Sequence, residues 1–170
     1  MAAIAATLGC DASPPSLTAT DAAAVQRAAL TTLFLEREHA ARLVLWRGPL
    51  VDAPALGALP GADTLRVADA DPRGLALPVP VDTANLGTVT AHFREHPDAW
   101  RAWFTRHAGS PGLIELTAPY AVDADGGSAV LLVGRSCGEH CRMAWRVRVR
   151  RAPDGAWRTD SVIGLRLPPS

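Results

Sequence analysis

The sequence predicts an α+β fold, with N-terminal helices packed on an antiparallel sheet of about four strands formed by a C-terminal meander. Two patterns carry this. Between Arg142 and Arg150, Met143, Trp145, Val147 and Val149 alternate strictly with arginines and Ala144, the period-two signature of a half-buried antiparallel strand. Far upstream, Val25, Ala28, Ala29, Leu33 and Phe34 recur at helical spacing. With 170 residues, 48% hydrophobic and 20% charged, the chain can bury one real core and does not have the composition of a disordered one.

A helix is expected to open near Thr20 or Asp21, since Thr20 is a good N-cap and Asp21 suits the positive end of the helix dipole. Residues 41–47 (ARLVLWR) are dense in large apolar side chains and halt at Gly48-Pro49, which suits a first strand. Residues 51–80 are rich in Pro and Gly and read as a long irregular connection, with one short strand around 64–67. Such a loop inside a compact domain is either functional or mobile. Helical logic returns at Thr83, after which Leu86, Val89 and Phe93 share a face. Pro97 and Asp98 start another helix, with Pro in the first turn where its missing N–H costs nothing. That helix carries Trp100, Trp103, Phe104 and His107, and ends at Gly109. Its aromatic face needs a sheet to cover. Strands follow at 113–117 and 128–135, separated by the turn cluster DADGG, and then comes the alternating run of 142–151. Pro153-Asp154-Gly155 closes the next hairpin, and 156–163 is the last strand, anchored by Trp157.

All 17 basic residues are arginine and the formal net charge is zero, so no global field recruits nucleic acid or an anionic membrane. No apolar run approaches the roughly 20 residues that span a bilayer, and no transmembrane helix is expected. Residues 1–9 (MAAIAATLG) are small and apolar, Cys10 follows directly, and 11–20 (DASPPSLTAT) is a polar tether. This order resembles the end of a bacterial lipoprotein signal, with Cys10 as the lipid-accepting cysteine. The chain therefore divides into a signal or lipoprotein-like leader with its tether, 1–20, and a single α+β domain, 21–170. The plainer reading of the same stretch is an Ala-rich tail with an incidental cysteine.

Cys137 and Cys141 stand in the turn between two strands. A C-x-x-x-C pair closing a short hairpin can bring its Cα atoms within roughly 5.5 Å, the separation a disulfide prefers. With Cys10 lipidated, a Cys137–Cys141 bond leaves no odd thiol among the three cysteines. The alternatives are free structural thiols and a zinc site using Cys137, Cys141 and His140, for which no fourth ligand is well placed. His92-Phe93-Arg94-Glu95-His96 formally matches the H-x-x-E-H of inverted zinc peptidases. Pro97, however, pushes His96 out of helical geometry, and a solvated helix end explains the stretch better. Ser128 and Ser136 lack a G-x-S-x-G elbow. No catalytic residue, metal or cofactor is assigned.

Arg142, Arg146, Arg148 and Arg150 project to one face of their strand, joined by Arg151 and Arg158. A solvated outer sheet face is the plain explanation. The functional one is binding to an acidic partner: an anionic protein surface, a phosphorylated headgroup or a polyanion. Trp145 points the other way, so aromatic interleaving for base stacking is absent and nucleic acid is disfavoured.

Residues 100–163 resemble a family of small exported bacterial proteins of unknown function. Trp100 and Phe104 stand where the family has an aromatic helix, and Ser110-Pro111-Gly112-Leu113-Ile114-Glu115-Leu116-Thr117 resembles its Gly-apolar-apolar-x-Leu-Ser strand. Ala129-Val130-Leu131-Leu132-Val133-Gly134 resembles the strand leading to a Cys-Gly turn, and Gly155-Ala156-Trp157 its closing Gly-x-Trp. The resemblance implies export and an α+β fold, often behind a lipoprotein-like leader, and supplies no reaction. The expectation is a non-enzymatic binding protein of the bacterial envelope, periplasmic or membrane-anchored, of which an immunity or inhibitor protein is one version. The rivals are a small hydrolase with a polar cleft and a purely structural lipoprotein.

Overall fold

The computed structural model describes residues 17–48, 71–121, 123 and 125–165. The leader with Cys10, the strand expected at 64–67 and the last five residues lie outside them. In chain order the elements are α1 (Ala19–Leu30) with a π-helical extension (Thr31–Glu36), β1 (Leu43–Trp46), β2 (Val81–Ala84), α2 (Leu86–Glu95) and α3 (Ala99–Arg106). Then come β3 (Leu113–Leu116), β4 (Tyr120–Ala121), β5 (Ser128–Gly138), β6 (Cys141–Arg151) and β7 (Trp157–Leu165).

The α+β character holds, but the sheet is larger than four strands and is mixed. Its order is β2-β1-β3-β5-β6-β7, with β4 also on β5. β1 runs parallel to both β2 and β3, and the remaining pairs are antiparallel. The parallel part arises because α2 and α3 carry the chain from β2 across to β3 on the far side of β1, a crossover that a meander lacks. β3 and β4 lie along the same edge of β5, Leu116 opposite Val133 and Tyr120 opposite Val130, so one residue is extra between them. The two are one strand broken by a bulge.

Thr18, rather than Thr20, caps α1, its hydroxyl accepting from the Asp21 N–H at 3.1 Å. Val25, Ala29, Leu30, Leu33 and Phe34 are all buried, and they meet Leu43, Leu45, Ile114, Leu131, Val133, Val147 and Val149 in the main core. By strand alternation the opposite face of β1 and β3 presents Val44, Trp46 and Leu113. Trp103 covers these, with Val89, Trp100 and Phe104 packed alongside. The aromatic helix thus finds the sheet it requires, and helices occupy both faces. Strands β1 and β3 are accordingly buried throughout.

Several boundaries differ from the sequence reading. Thr83 belongs to β2, and α2 opens only at Leu86, behind an Asn85–Thr88 capping box. Leu86 and Phe93, expected on a packed face, are 62% and 37% exposed, because this short helix docks through Val89 and His92 instead. Pro97 lies before the N-cap Asp98 rather than in the first turn of α3. Gly112, at φ +125°, enters β3 so close beneath β5 that a Cβ there would stand 2.3 Å from the Ser136 carbonyl oxygen.

Candidate binding face of the sheet

The two sheet faces are covered unequally. On one side α1 lies over β5, β6 and β7, tied down by Thr159, whose hydroxyl donates to the Ala28 carbonyl, and by Trp157, whose indole N–H donates to Asp21 at 3.0 Å. On the other side α2 and α3 cover β1 and β3 but leave β6 and β7 open, where Ser161 and Ile163 are exposed. The arginines of β6 emerge onto this open face. In register, Arg146 stands opposite Leu132 and Ile163, and Arg148 opposite Val130 and Ser161. Leu132 and Val130 are nonetheless buried, flanked by the aliphatic stems of their arginine partners.

The row expected from the sequence is not one electrostatic unit. Arg148 reaches the Ser128 hydroxyl at 3.2 Å and Asp123 at 3.5 Å, with Asp160 at 3.9 Å from its Nε. Ser128 in turn donates to Asp123 at 2.5 Å, so Arg148 pins the 123–128 turn onto β6. Arg142 also has an interaction of its own. Arg158 pairs with Asp154 inside its hairpin, at 2.6 Å. Arg151 is corrected outright: strand alternation puts it on the α1 side, where it pairs with Asp21 at 2.6 Å and lies over the Trp157 ring. Arg150 is exposed. Arg146 is half-buried, and no carboxylate among the described residues pairs with it.

Arg146 lines a shallow hollow of about 520 Å³ with Tyr120, Asp123, Val130, Arg148, Ser161 and Ile163. Burial raises the Tyr120 phenol above its ordinary value of 10.0, with the Arg146 charge working in the opposite direction, so the hydroxyl stays a proton donor at neutral pH. Tyr120, Asp123 and Ser161 were not singled out from the sequence. Tyr120 is the only tyrosine of the chain and follows Pro119, a signal that becomes informative only once β4 is seen to pair with β5.

The two motifs weighed as metal sites face each other. The α2–α3 turn supplies Phe93, His96, Pro97 and Asp98, and the cysteine turn supplies Gly138, Glu139 and His140, on opposite walls of a cleft of about 470 Å³. Cys137 and Cys141 have Cα atoms 5.0 Å apart, with their sulfurs at disulfide-bonding distance. Among the described residues no group of three or more His, Cys, Asp or Glu side chains could hold a metal ion. His92 is not part of a solvated helix end. It is buried, its Nε2 lies 2.8 Å from the Ala99 carbonyl oxygen, and its ring packs edge-on to Trp103. His96, by contrast, is the extended residue that ends α2, as Pro97 dictates.

At the β2 edge, Asp82 pairs with Arg42 at 2.5 Å and lies 3.4 Å from His107 Nδ1. Burial lowers the His107 pKa from 6.5, with Asp82 opposing that shift and the charges of Arg106 and Arg42 adding to it. This group clasps the end of α3 to β2.

Compared with protein-family models, curated proteins and solved structures, the chain matches none. No helix among the described residues is long and apolar enough to cross a membrane.

Proposed function

We propose that the protein is an exported, non-enzymatic binding protein of the bacterial envelope that engages an acidic protein surface through the open face of β6 and β7. Export is supported by the apolar run ending at Cys10, by the resemblance to a small exported family, and by the disulfide spacing of Cys137 and Cys141. The observation that carries the binding reading is Arg146, a half-buried guanidinium with no carboxylate partner among the described residues. A cation held partly out of water without a counter-charge is destabilising on its own, and an acidic partner would relieve that.

The test is charge reversal at Arg146 alone, since Arg148 holds its own turn in place. Affinity capture from host envelope extract with wild type and Arg146→Glu, at two salt concentrations, should give a partner retained by wild type, weakened by salt and lost in the variant. Identical partner sets for the two proteins would sink this reading.

The hydrolase rival has its best support in the cleft between the α2–α3 turn and the cysteine turn, where His96, His140, Asp98 and Glu139 converge. Asp98, however, is committed to capping α3 and to Arg101 at 3.2 Å. Among the described residues no imidazole–carboxylate hydrogen bond ties these groups into an acid–base pair, which is the geometry such chemistry needs.

A further inference from the structure

Resting on that reading, we infer that the hollow beside Arg146 is a carboxylate subsite, in which the Arg146 guanidinium and the Tyr120 hydroxyl hold an Asp or Glu side chain of the protein partner. The donors come first. Arg146, Tyr120 and Ser161 line one hollow, and each offers N–H or O–H groups toward it. Asp123, the carboxylate in the lining, has both oxygens engaged, one by the Arg148 guanidinium and the other by the Ser128 hydroxyl. The Arg146, Tyr120 and Ser161 side chains have no hydrogen-bond partner among the described residues, so their donors are open to an anion.

Charge then selects the kind of anion. Arg148 is engaged by Asp123 and Asp160, both within 4.0 Å, so Arg146 is the guanidinium of this group that has no ion-pair partner among the described residues. A carboxylate brings one negative charge and has the planar pair of oxygens that a guanidinium fork accepts. A phosphate group brings about −1.5 to −2 charges at pH 7 and would meet a stronger repulsion from Asp123 in the lining than a singly charged carboxylate does. Shape agrees. Val130 and Ile163 form apolar walls suited to the short methylene stem of Asp or Glu, and Ile163 is 46% exposed. The subsite draws on β4, β5, β6 and β7 together, so it exists only when the bulged β3–β4 strand is in place.

The single tyrosine makes the test direct. In full-length protein carrying ring-labelled tyrosine, every aromatic tyrosine resonance belongs to Tyr120. Titration with glutarate at constant ionic strength should shift these resonances saturably, with an affinity on the order of millimolar for so small a probe. Arg146→Gln should weaken that affinity at least about tenfold, the loss expected for a charge-assisted hydrogen bond. Calorimetry with Tyr120→Phe should show a smaller loss, of about threefold or more, matching one neutral donor. No saturable shift with glutarate, an equal response in Arg146→Gln, or tighter binding of inorganic phosphate would each overturn the carboxylate subsite. Failure here is separable from failure of the binding reading: a partner lost in Arg146→Glu without any glutarate response leaves the face and removes the subsite. A glutarate response without a partner does the reverse.

Discussion

At the scale of single residues, the open face depends on side chains that replace missing backbone bonds. Thr117 sits fully buried in the bulge between β3 and β4. Its N–H donates to the Leu132 carbonyl at 3.1 Å, and its hydroxyl accepts the Leu132 N–H at 2.9 Å, so one residue supplies both halves of a ladder pair. Thr117→Val keeps the shape and strand preference but leaves the Leu132 N–H buried without an acceptor. That should cost about 1–3 kcal/mol, whereas Thr117→Ser, which retains the oxygen and loses a methyl, should cost about 1 kcal/mol or less. Urea unfolding of the three proteins decides it, and equal midpoints for the valine and serine variants would show that the hydroxyl is not the acceptor that matters. Arg146 and Arg148 make the complementary point. They are two residues apart on one strand face, and nothing local distinguishes them. Only Asp123 and Asp160, brought in by the turn and the β7 bulge, turn Arg148 into a structural pin and leave Arg146 available.

At the scale of elements, β2 is the weakest part of the sheet by sequence and shows how far the sequence can be read. Val81-Asp82-Thr83-Ala84 has no large apolar side chain and follows a proline, so nothing in it announces a strand. It is held from outside, by parallel pairing with β1 and by Asp82 reaching Arg42 and His107. The strands 113–117, 128–135 and 142–151 are legible because each must bury its own apolar residues, and that leaves a periodic imprint. A parallel edge strand and a crossover leave none. The His107 clasp carries a pH dependence whose sign follows from its environment. Burial in the fold lowers its pKa below the ordinary 6.5, so the unfolded chain binds more protons as the pH falls through that value. Stability should therefore decline as the pH falls through about 6.5 and level off once the pH is below the folded pKa. His107→Gln removes that proton, so its unfolding midpoint should vary less across this range than that of wild type. Parallel profiles for the two proteins would assign the pH dependence to other groups.

At the scale of the whole molecule, the unequal covering of the sheet separates the packed α1 side from the face proposed to bind. The α1 side is closed by Val25, Leu30, Leu33 and Phe34 and bolted by the Asp21, Trp157 and Arg151 group. Among the described residues the far side is closed only as far as α2 and α3 extend. The cysteine turn belongs to the first category. Its loop is short, so a Cys137–Cys141 bond contributes about 2 kcal/mol by restricting the unfolded chain. It closes the end of the β5–β6 hairpin, and Arg146 lies five residues along β6 from Cys141, about 17 Å at the rise of a strand. The β6–β7 ladder that holds the hollow runs from Ala144 to Arg151 and does not include the cysteine turn. The double variant Cys137→Ser, Cys141→Ser should therefore unfold about 2 kcal/mol more easily while its glutarate response at Tyr120 stays within about twofold of wild type. Intact mass of the native protein, with and without reductant, should show the matching gain of two hydrogens, and lipid on Cys10 would appear in the same spectrum. A variant that keeps its stability would remove the staple, and one that loses the Tyr120 response at unchanged fold would join the turn to the binding face.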